Sequence, residues 1–306
     1  MKTTVVGAGG LGLLITAILK HNKADVKLFT RRREAAQKIS EEGIKVLSRS
    51  GELHVFPECI WKADDITDSE LLIFTVKAYD TLNVAHIISP CINKGCQVLT
   101  IQNGFNNLEE LTSIFGEDRV VGGVTTQAAT LMDTNTVFHA HAGLTIVGKT
   151  SNDPAVDKIA NHLSSYGVET KVSEDIIKEI YVKGIVNCVI NPLTALTGVR
   201  NGELLKLPWF NEIAREIVCE CVEVAKQLGI VLDANSILAR VEDVIVKTGL
   251  NKSSMLQDVE NRRKTEIEQL NAWISGKAME LGVRTPLNKL LASMVKMLEM
   301  RLISNQ

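Results

Sequence analysis

The sequence predicts an α/β half with a mostly parallel sheet, followed by an all-α half. Three observations carry that prediction. Short apolar runs, "TTVV", "ADVKLFT", "ELLIFTV" and "CQVLTIQ", alternate with helical or irregular stretches, as parallel strands covered by helices do. A glycine-rich stretch, "VVGAGGLG", follows the first of these runs and opens an apolar helix, "LGLLITAILKH". From about Ser173 onward no run reads as a strand, and helical patterns continue nearly to the end. The expected domains are therefore 1–172 and 173–306.

Within the first domain, "RVVGGVTTQAATLMD" and "TVFHAHAGLTIVG" alternate as antiparallel strands do. "DPAVDKIANHLSSYG" then reads as a helix with Asp153 as N-cap and Pro154 in its first turn. The uncharged stretch from residue 3 to residue 19 imitates a secretory signal, but four glycines interrupt it and no small-residue cleavage site follows. A buried strand–turn–helix explains it better. No other uncharged run approaches the roughly 20 residues of a membrane span. The chain has 45% hydrophobic and 23% charged residues and a formal net charge of -2. No basic field points to nucleic acid or to a membrane surface, and aromatics at 4% are too few for base-stacking platforms. The six cysteines form no CxxC pair, so the cytoplasm is the expected compartment and a small molecule the expected partner. The apolar helical half could bury a second copy or only itself, and a homodimer through that half is the one assembly the sequence raises.

The glycine stretch has the G-x-G-x-x-G spacing of a Rossmann-type α/β domain. Gly7 permits the tight turn, Gly9 lets the backbone approach a pyrophosphate, and Gly12 allows close helix–strand packing. The helix that follows turns its unpaired N–H groups toward phosphate. The end of the second strand distinguishes cofactors. NAD sites place an acid there for the ribose 2′-hydroxyl, whereas this chain offers Arg31, Arg32 and Arg33 before any acid, the first being Glu34. Guanidiniums suit a 2′-phosphate. Arg31 stands nearest the strand end, and the expected cofactor is NADPH. Lys77 and Asn103 stand at the C-terminal ends of two further parallel strands, where α/β folds place ligands.

In "YVKGIVNCVINPLTAL", Lys183, Asn187 and Asn191 recur every four residues. They form one polar stripe on an otherwise apolar helix. Buried polar groups cost free energy unless something partners them, so the stripe reads as a wall facing a ligand. Pro192 is expected to kink the chain beside Asn191 and to leave the Cys188 carbonyl without its helical partner. Lys183 alone in the stripe can donate a proton in chemistry, and a partly dry site would lower its pKa. Ser254 with Gln257 fits a capping box, and such a helix start also suits a carboxylate ligand. Glu266 is expected on the following helix, at the edge of its apolar face. His139 and His141 could share a strand face, but no third ligand is apparent, and no metal is expected.

Taken together, "GAGGLG", "TVKAYDT", "QNG", "VKGIVNCVINPLTAL", "NGEL", "NKSSMLQD" and "RKTEI", in this order, resemble the ketopantoate reductase family, the NADPH-dependent 2-dehydropantoate 2-reductases. The resemblance covers nearly the whole chain and implies a Rossmann domain followed by a helical domain, with the stripe facing a cleft between them. It further implies that Gly7, Ala8, Gly9, Gly10, Leu11, Gly12, Arg31, Lys77, Asn103 and Ala129 line the cofactor site. Lys183 would be the general acid, helped by Asn103, with Asn187, Asn191, Asn201, Asn251, Ser254 and Glu266 around the substrate. Departures are Tyr181 where many members have Trp, Gln102 where some have His, and Arg200 where Pro is frequent. The implied activity is reduction of 2-dehydropantoate to pantoate for coenzyme A synthesis. The alternatives are a paralogous reductase of another branched 2-keto acid and a non-catalytic nucleotide-binding module.

Overall fold

The computed structural model of the protein describes residues 1–148 and 154–303. Asp153, the expected helix cap, lies outside the described residues. Contacts divide the chain into two units, Met1–Glu179 and Ile180–Gln306. The division falls slightly beyond residue 172 because the first turn of the helix starting at Ile176 belongs to the sheet unit. A Cβ added at Gly148 would lie 2.9 Å from the Ile176 Cβ.

The strands of the first unit are β1 (Thr3–Val6), β2 (Val26–Phe29), β3 (Ile44–Ser48), β4 (Gly51–Val55), β5 (Glu58–Ile60), β6 (Leu71–Phe74), β7 (Gln97–Thr100), β8 (Val120–Thr125), β9 (Ala128–Asp133), β10 (Thr136–His141), β11 (Thr145–Gly148) and β12 (Thr170–Val172). Its helices are α1 (Gly10–His21), α2 (Arg33–Glu42), α3 (Thr81–Ile88), α4 (Asn107–Phe115) and α5 (Pro154–Ser165). An eight-stranded sheet runs in the order β12-β11-β8-β7-β6-β1-β2-β5. Every neighbouring pair in it is parallel except β8 with β11. Strand order reverses between β1 and β6, and ligands of such sheets bind outside the carboxyl ends of the strands at that point.

A second sheet, β4-β3-β10-β9, goes beyond what the sequence pattern predicts. Its β3–β4 hairpin escapes a hydrophobicity reading because β4, "GELHV", is mostly exposed. It joins a distant hairpin through the parallel pairing of β3 with β10. Helix α1 packs against β1 and β2 on the large sheet and against all four strands of the small one. Burial on both sides explains why α1 is apolar almost all round: Leu13, Leu14, Ile15, Ala17 and Leu19 are fully buried.

Among its described residues the second unit holds helices and no strand. Helix α6 (Ile176–Thr197) straddles the division, and α7 (Phe210–Gln227), α8 (Ala234–Lys247), α9 (Ser254–Glu260), α10 (Asn271–Leu281) and α11 (Pro286–Ile303) follow. α6 is long and apolar enough to cross a membrane, but two-thirds of its most apolar window is buried inside the protein. It continues through Pro192 as a helix rather than ending there.

The two outer glycines of the turn after β1 have no room for a side chain. A Cβ at Gly7, whose φ is +118°, would sit 2.8 Å from Val76, and one at Gly12 would lie 1.8 Å from the Gly7 carbonyl oxygen. At Gly9 nothing lies within 4 Å. Gly12→Ala should therefore lower stability by about 2–3 kcal/mol, since backbone must move to admit it. Gly9→Ala should unfold at the wild-type midpoint in the same urea titration.

Candidate active site

At the carboxyl ends of the central strands, β1 runs into the glycine turn. The Gly7 amide donates to the Phe29 carbonyl (2.9 Å), and the Thr75 hydroxyl reaches the Val6 and Gly7 carbonyls (3.0 Å each). Helix α1 starts at Gly10 with Gly9 as an N-cap that has no side chain to accept from its first amides. Those N–H groups stay available to an anion, and the dipole of the helix favours one there. Open space at Gly9 and a free helix N-terminus fit a dinucleotide pyrophosphate. Ala129 lies against the same turn, its carbonyl oxygen 3.0 Å from where a Gly10 Cβ would be.

Lys77 follows β6 and opens a short 3-10 turn, Ala78–Asp80, while Asn103 lies just past β7. A buried polar system that no local sequence pattern marks ties these two loops. Gln102 Nε2 donates to the Val76 carbonyl (2.8 Å) and to Thr81 Oγ1 (2.9 Å), and its Oε1 accepts from Thr100 Oγ1 (3.0 Å). Thr81 Oγ1 donates to Asn107 Oδ1 (2.9 Å), whose Nδ2 donates to the Asn103 carbonyl (2.7 Å). Gln102 thus fixes the backbone beside both Lys77 and Asn103. Arg31, past the end of β2, is ion-paired with Asp80, Nη2 to Oδ1 at 2.7 Å. The structure therefore gathers the glycine turn, Ala129, Lys77, Asn103 and Arg31 around the ends of β1, β2, β6 and β7. His139 instead bonds Gln127 Oε1 through Nε2 (2.9 Å).

On α6 the stripe forms as expected. Lys183 and Asn187 are half-buried and Asn191 is buried. The Asn187 and Asn191 amides make no hydrogen bond to another described residue, so their groups remain for a ligand. Burial lowers the Lys183 pKa to about 8, against the opposing pull of the nearby Glu266 carboxylate. Glu266 is not on a helix face. It caps a 3-10 turn, Ile267–Gln269, and is buried at 6% exposure, because the chain turns sharply there before α10.

The expected capping box at Ser254 is corrected. Ser253 is the N-cap of α9, its hydroxyl accepting from the Leu256 amide (3.1 Å), and Gln257 Nε2 reaches back to the Lys252 carbonyl (3.0 Å). Ser253 also bonds Thr194 Oγ1 (2.7 Å), which holds the start of α9 against α6 within one turn of Asn191. Ser254 is thus the first helical residue, half-buried and with its hydroxyl uncommitted among the described residues. Asn201 and Asn251 are brought together by the Asn201 amide donating to the Asn251 carbonyl (3.0 Å). Asn201 Nδ2 donates to Thr248 Oγ1 (2.8 Å), while its buried Oδ1 has no partner.

Pro192 leaves the Cys188 carbonyl unpaired in the helix, as expected, and the missing donor comes from elsewhere. Asn271, fully buried at the start of α10, donates from Nδ2 to that carbonyl (2.9 Å) and to Asn288 Oδ1 (2.9 Å). Asn288 Nδ2 donates to Glu220 Oε2 (2.7 Å), and the Glu220 carboxylate accepts from the Leu287 and Asn288 amides (2.9 Å each), capping α11. No local pattern marks Asn271; only the orphaned carbonyl implies that some donor must exist.

Residues 3–152 match the family described as Ketopantoate reductase PanE/ApbA, and residues 175–299 match Ketopantoate reductase PanE/ApbA C terminal. A 2-dehydropantoate 2-reductase of Archaeoglobus fulgidus is 33% identical over 97% of this chain and 98% of its own. One from Halobacterium salinarum is 31% identical over the same shares. Among solved structures, the ternary structure of D-mandelate dehydrogenase with NADH and anilino(oxo)acetate is similar at a TM-score of 0.94 and 28% identity, covering 99% of each chain.

Asn271→Ala should lower stability by about 1–3 kcal/mol through the buried groups it leaves unpaired. In that background Pro192→Ala should recover more than it gives the wild type, because losing the proline ring restores a backbone N–H that the Cys188 carbonyl can accept from. A double-mutant cycle by urea unfolding measures that coupling.

Proposed function

The chain belongs to the ketopantoate reductase family, and on that footing we propose that it is a cytoplasmic enzyme reducing 2-dehydropantoate to pantoate with NADPH, toward coenzyme A. The observation that carries this reading is the α6 stripe: a lysine of depressed pKa in line with two side-chain amides that have no hydrogen-bond partner among the described residues. A module that only bound nucleotide would have no use for it.

The glycine turn and the free N–H groups of α1 would hold the pyrophosphate, Arg31 the 2′-phosphate, and Lys77, Asn103 and Ala129 the remainder of the dinucleotide. When bound, the reduced nicotinamide supplies a hydride to the C2 ketone. Lys183 hydrogen-bonds the ketone oxygen from Nζ and transfers its proton there as negative charge develops, leaving a neutral amine and an alcohol. Asn103 steadies that oxygen. Ser254 and an asparagine of the stripe hold the carboxylate, the Ser254 hydroxyl as donor at the start of α9. Glu266 accepts from the terminal hydroxyl of the substrate, and Asn201 and Asn251 complete the surround. Burial lowers the Lys183 pKa, which brings the acid closer to operating pH.

The likeness to a D-mandelate dehydrogenase favours one second reading, reduction of a different 2-keto acid by the same chemistry. Turnover of ketopantoate and ketoisovalerate at matched concentrations separates the two. Ketopantoate should be preferred by roughly 10⁴-fold or more in kcat/KM if buried polar groups bind its hydroxyl. Equal turnover would assign the chain to the second reading.

Lys183→Ala should lower kcat by about 10²–10⁴-fold with the fold intact by circular dichroism. Only protonated Lys183 can donate. In the wild type kcat should accordingly be level below a pH of about 8 and fall as pH rises through it. A rate that rises over that interval would remove Lys183 as the acid.

A further inference from the structure

The end of β2 shows no acid in the sequence, yet the fold delivers one. Asp80 comes from the 3-10 turn after β6, and its Oδ1 meets Arg31 Nη2 at 2.7 Å. Asp80 occupies the N-cap position of α3, where a carboxylate ordinarily accepts from first-turn amides, but its side chain makes no such bond. It is spent on Arg31 instead. Both side chains are about one-third exposed, and exposed ion pairs add little to stability. The consequence of the pair lies in what Arg31 can still bind.

From this geometry we infer that Asp80 sets cofactor choice: it moderates the preference for a 2′-phosphate that Arg31 alone would impose, and lets the chain accept NADH as well. The inference rests on the nicotinamide-cofactor reading above. A 2′-phosphate carries about two negative charges at neutral pH. Docked on the free donors of Arg31, it would lie close to the Asp80 carboxylate and be repelled by it. A ribose 2′-hydroxyl in the same place is neutral and can donate to that carboxylate, the role an acid at the end of β2 has in NAD sites. The pair thus presents a cation for the phosphate and an acid for the hydroxyl.

The test is equilibrium binding by calorimetry, with NADPH, NADH, 2′-phospho-AMP and AMP as probes, on the wild type, Asp80→Asn and Arg31→Gln. Asp80→Asn should bind NADPH and 2′-phospho-AMP about tenfold more tightly, and NADH and AMP a few-fold more weakly. Arg31→Gln should weaken only the two 2′-phosphorylated probes. Weaker 2′-phospho-AMP binding by Asp80→Asn would show that Asp80 merely braces Arg31 and would overturn the inference. An equal change for all four probes would overturn it as well. A wild type that binds none of the four would remove the cofactor reading itself, and the inference with it. Normal wild-type binding with an unchanged ratio in Asp80→Asn would remove the inference alone.

Discussion

A proline in the last third of a long, largely buried helix leaves one carbonyl without a helical partner, and much of the helical unit is arranged to supply one. The Cys188 carbonyl accepts from Asn271, Asn271 also donates to Asn288, and Asn288 is held by Glu220. That sequence of bonds joins α6, α10, α11 and α7 through asparagines that have almost no exposure to water. An unmet carbonyl in such surroundings costs more than a formed hydrogen bond gains. The four helices are therefore constrained in mutual position as well as packed. The polar stripe lies on α6 at Lys183, Asn187 and Asn191, on both sides of Cys188. Its precision depends on the helix being held where Pro192 weakens it.

The two units treat polar groups in opposite ways. Around the ends of β6 and β7 the side chains of Gln102, Thr81 and Asn107 satisfy one another and the adjoining backbone, so the loops carrying Lys77 and Asn103 are fixed in advance. On α6 the amides of Asn187 and Asn191 are left uncommitted among the described residues, and Lys183 carries its charge at a cost. Preformed loops and uncommitted donors are both forms of preorganisation. The first fixes backbone, and the second reserves side chains for a ligand.

Much of this is legible because it is written at short range. The glycine turn, the alternation of strands and helices, and the four-residue recurrence of the stripe are local patterns, and each appears in the structure at the expected residues. Capping at α9 shifts by one residue because "SS" offers two hydroxyls, and only the contact with Thr194 selects Ser253. The β3–β4 hairpin is hidden because its outer strand buries little. What Asn271, Gln102 and Asp80 do is hidden for a different reason: the partners that give them their roles, the Cys188 carbonyl, Val76 with Thr81, and Arg31, are distant in sequence. The arginines after β2 show the sign of the site, while its counter-charge comes from another loop.

The small sheet has a further consequence, for the order in which the protein can be made. Its parallel pair joins Ile44–Ser48 to Thr136–His141, and it covers the side of α1 that faces away from β1 and β2. In a growing chain β3 and β4 can reach that side of α1 early, but its cover is complete only once the β9–β10 hairpin has been made. Non-local pairings of this kind slow folding and extend the exposure of apolar surface. The carbonyl of Ala129 that lies against Gly10 arrives with the same hairpin. The glycine turn is thus completed by a hairpin that lies far along the chain from it.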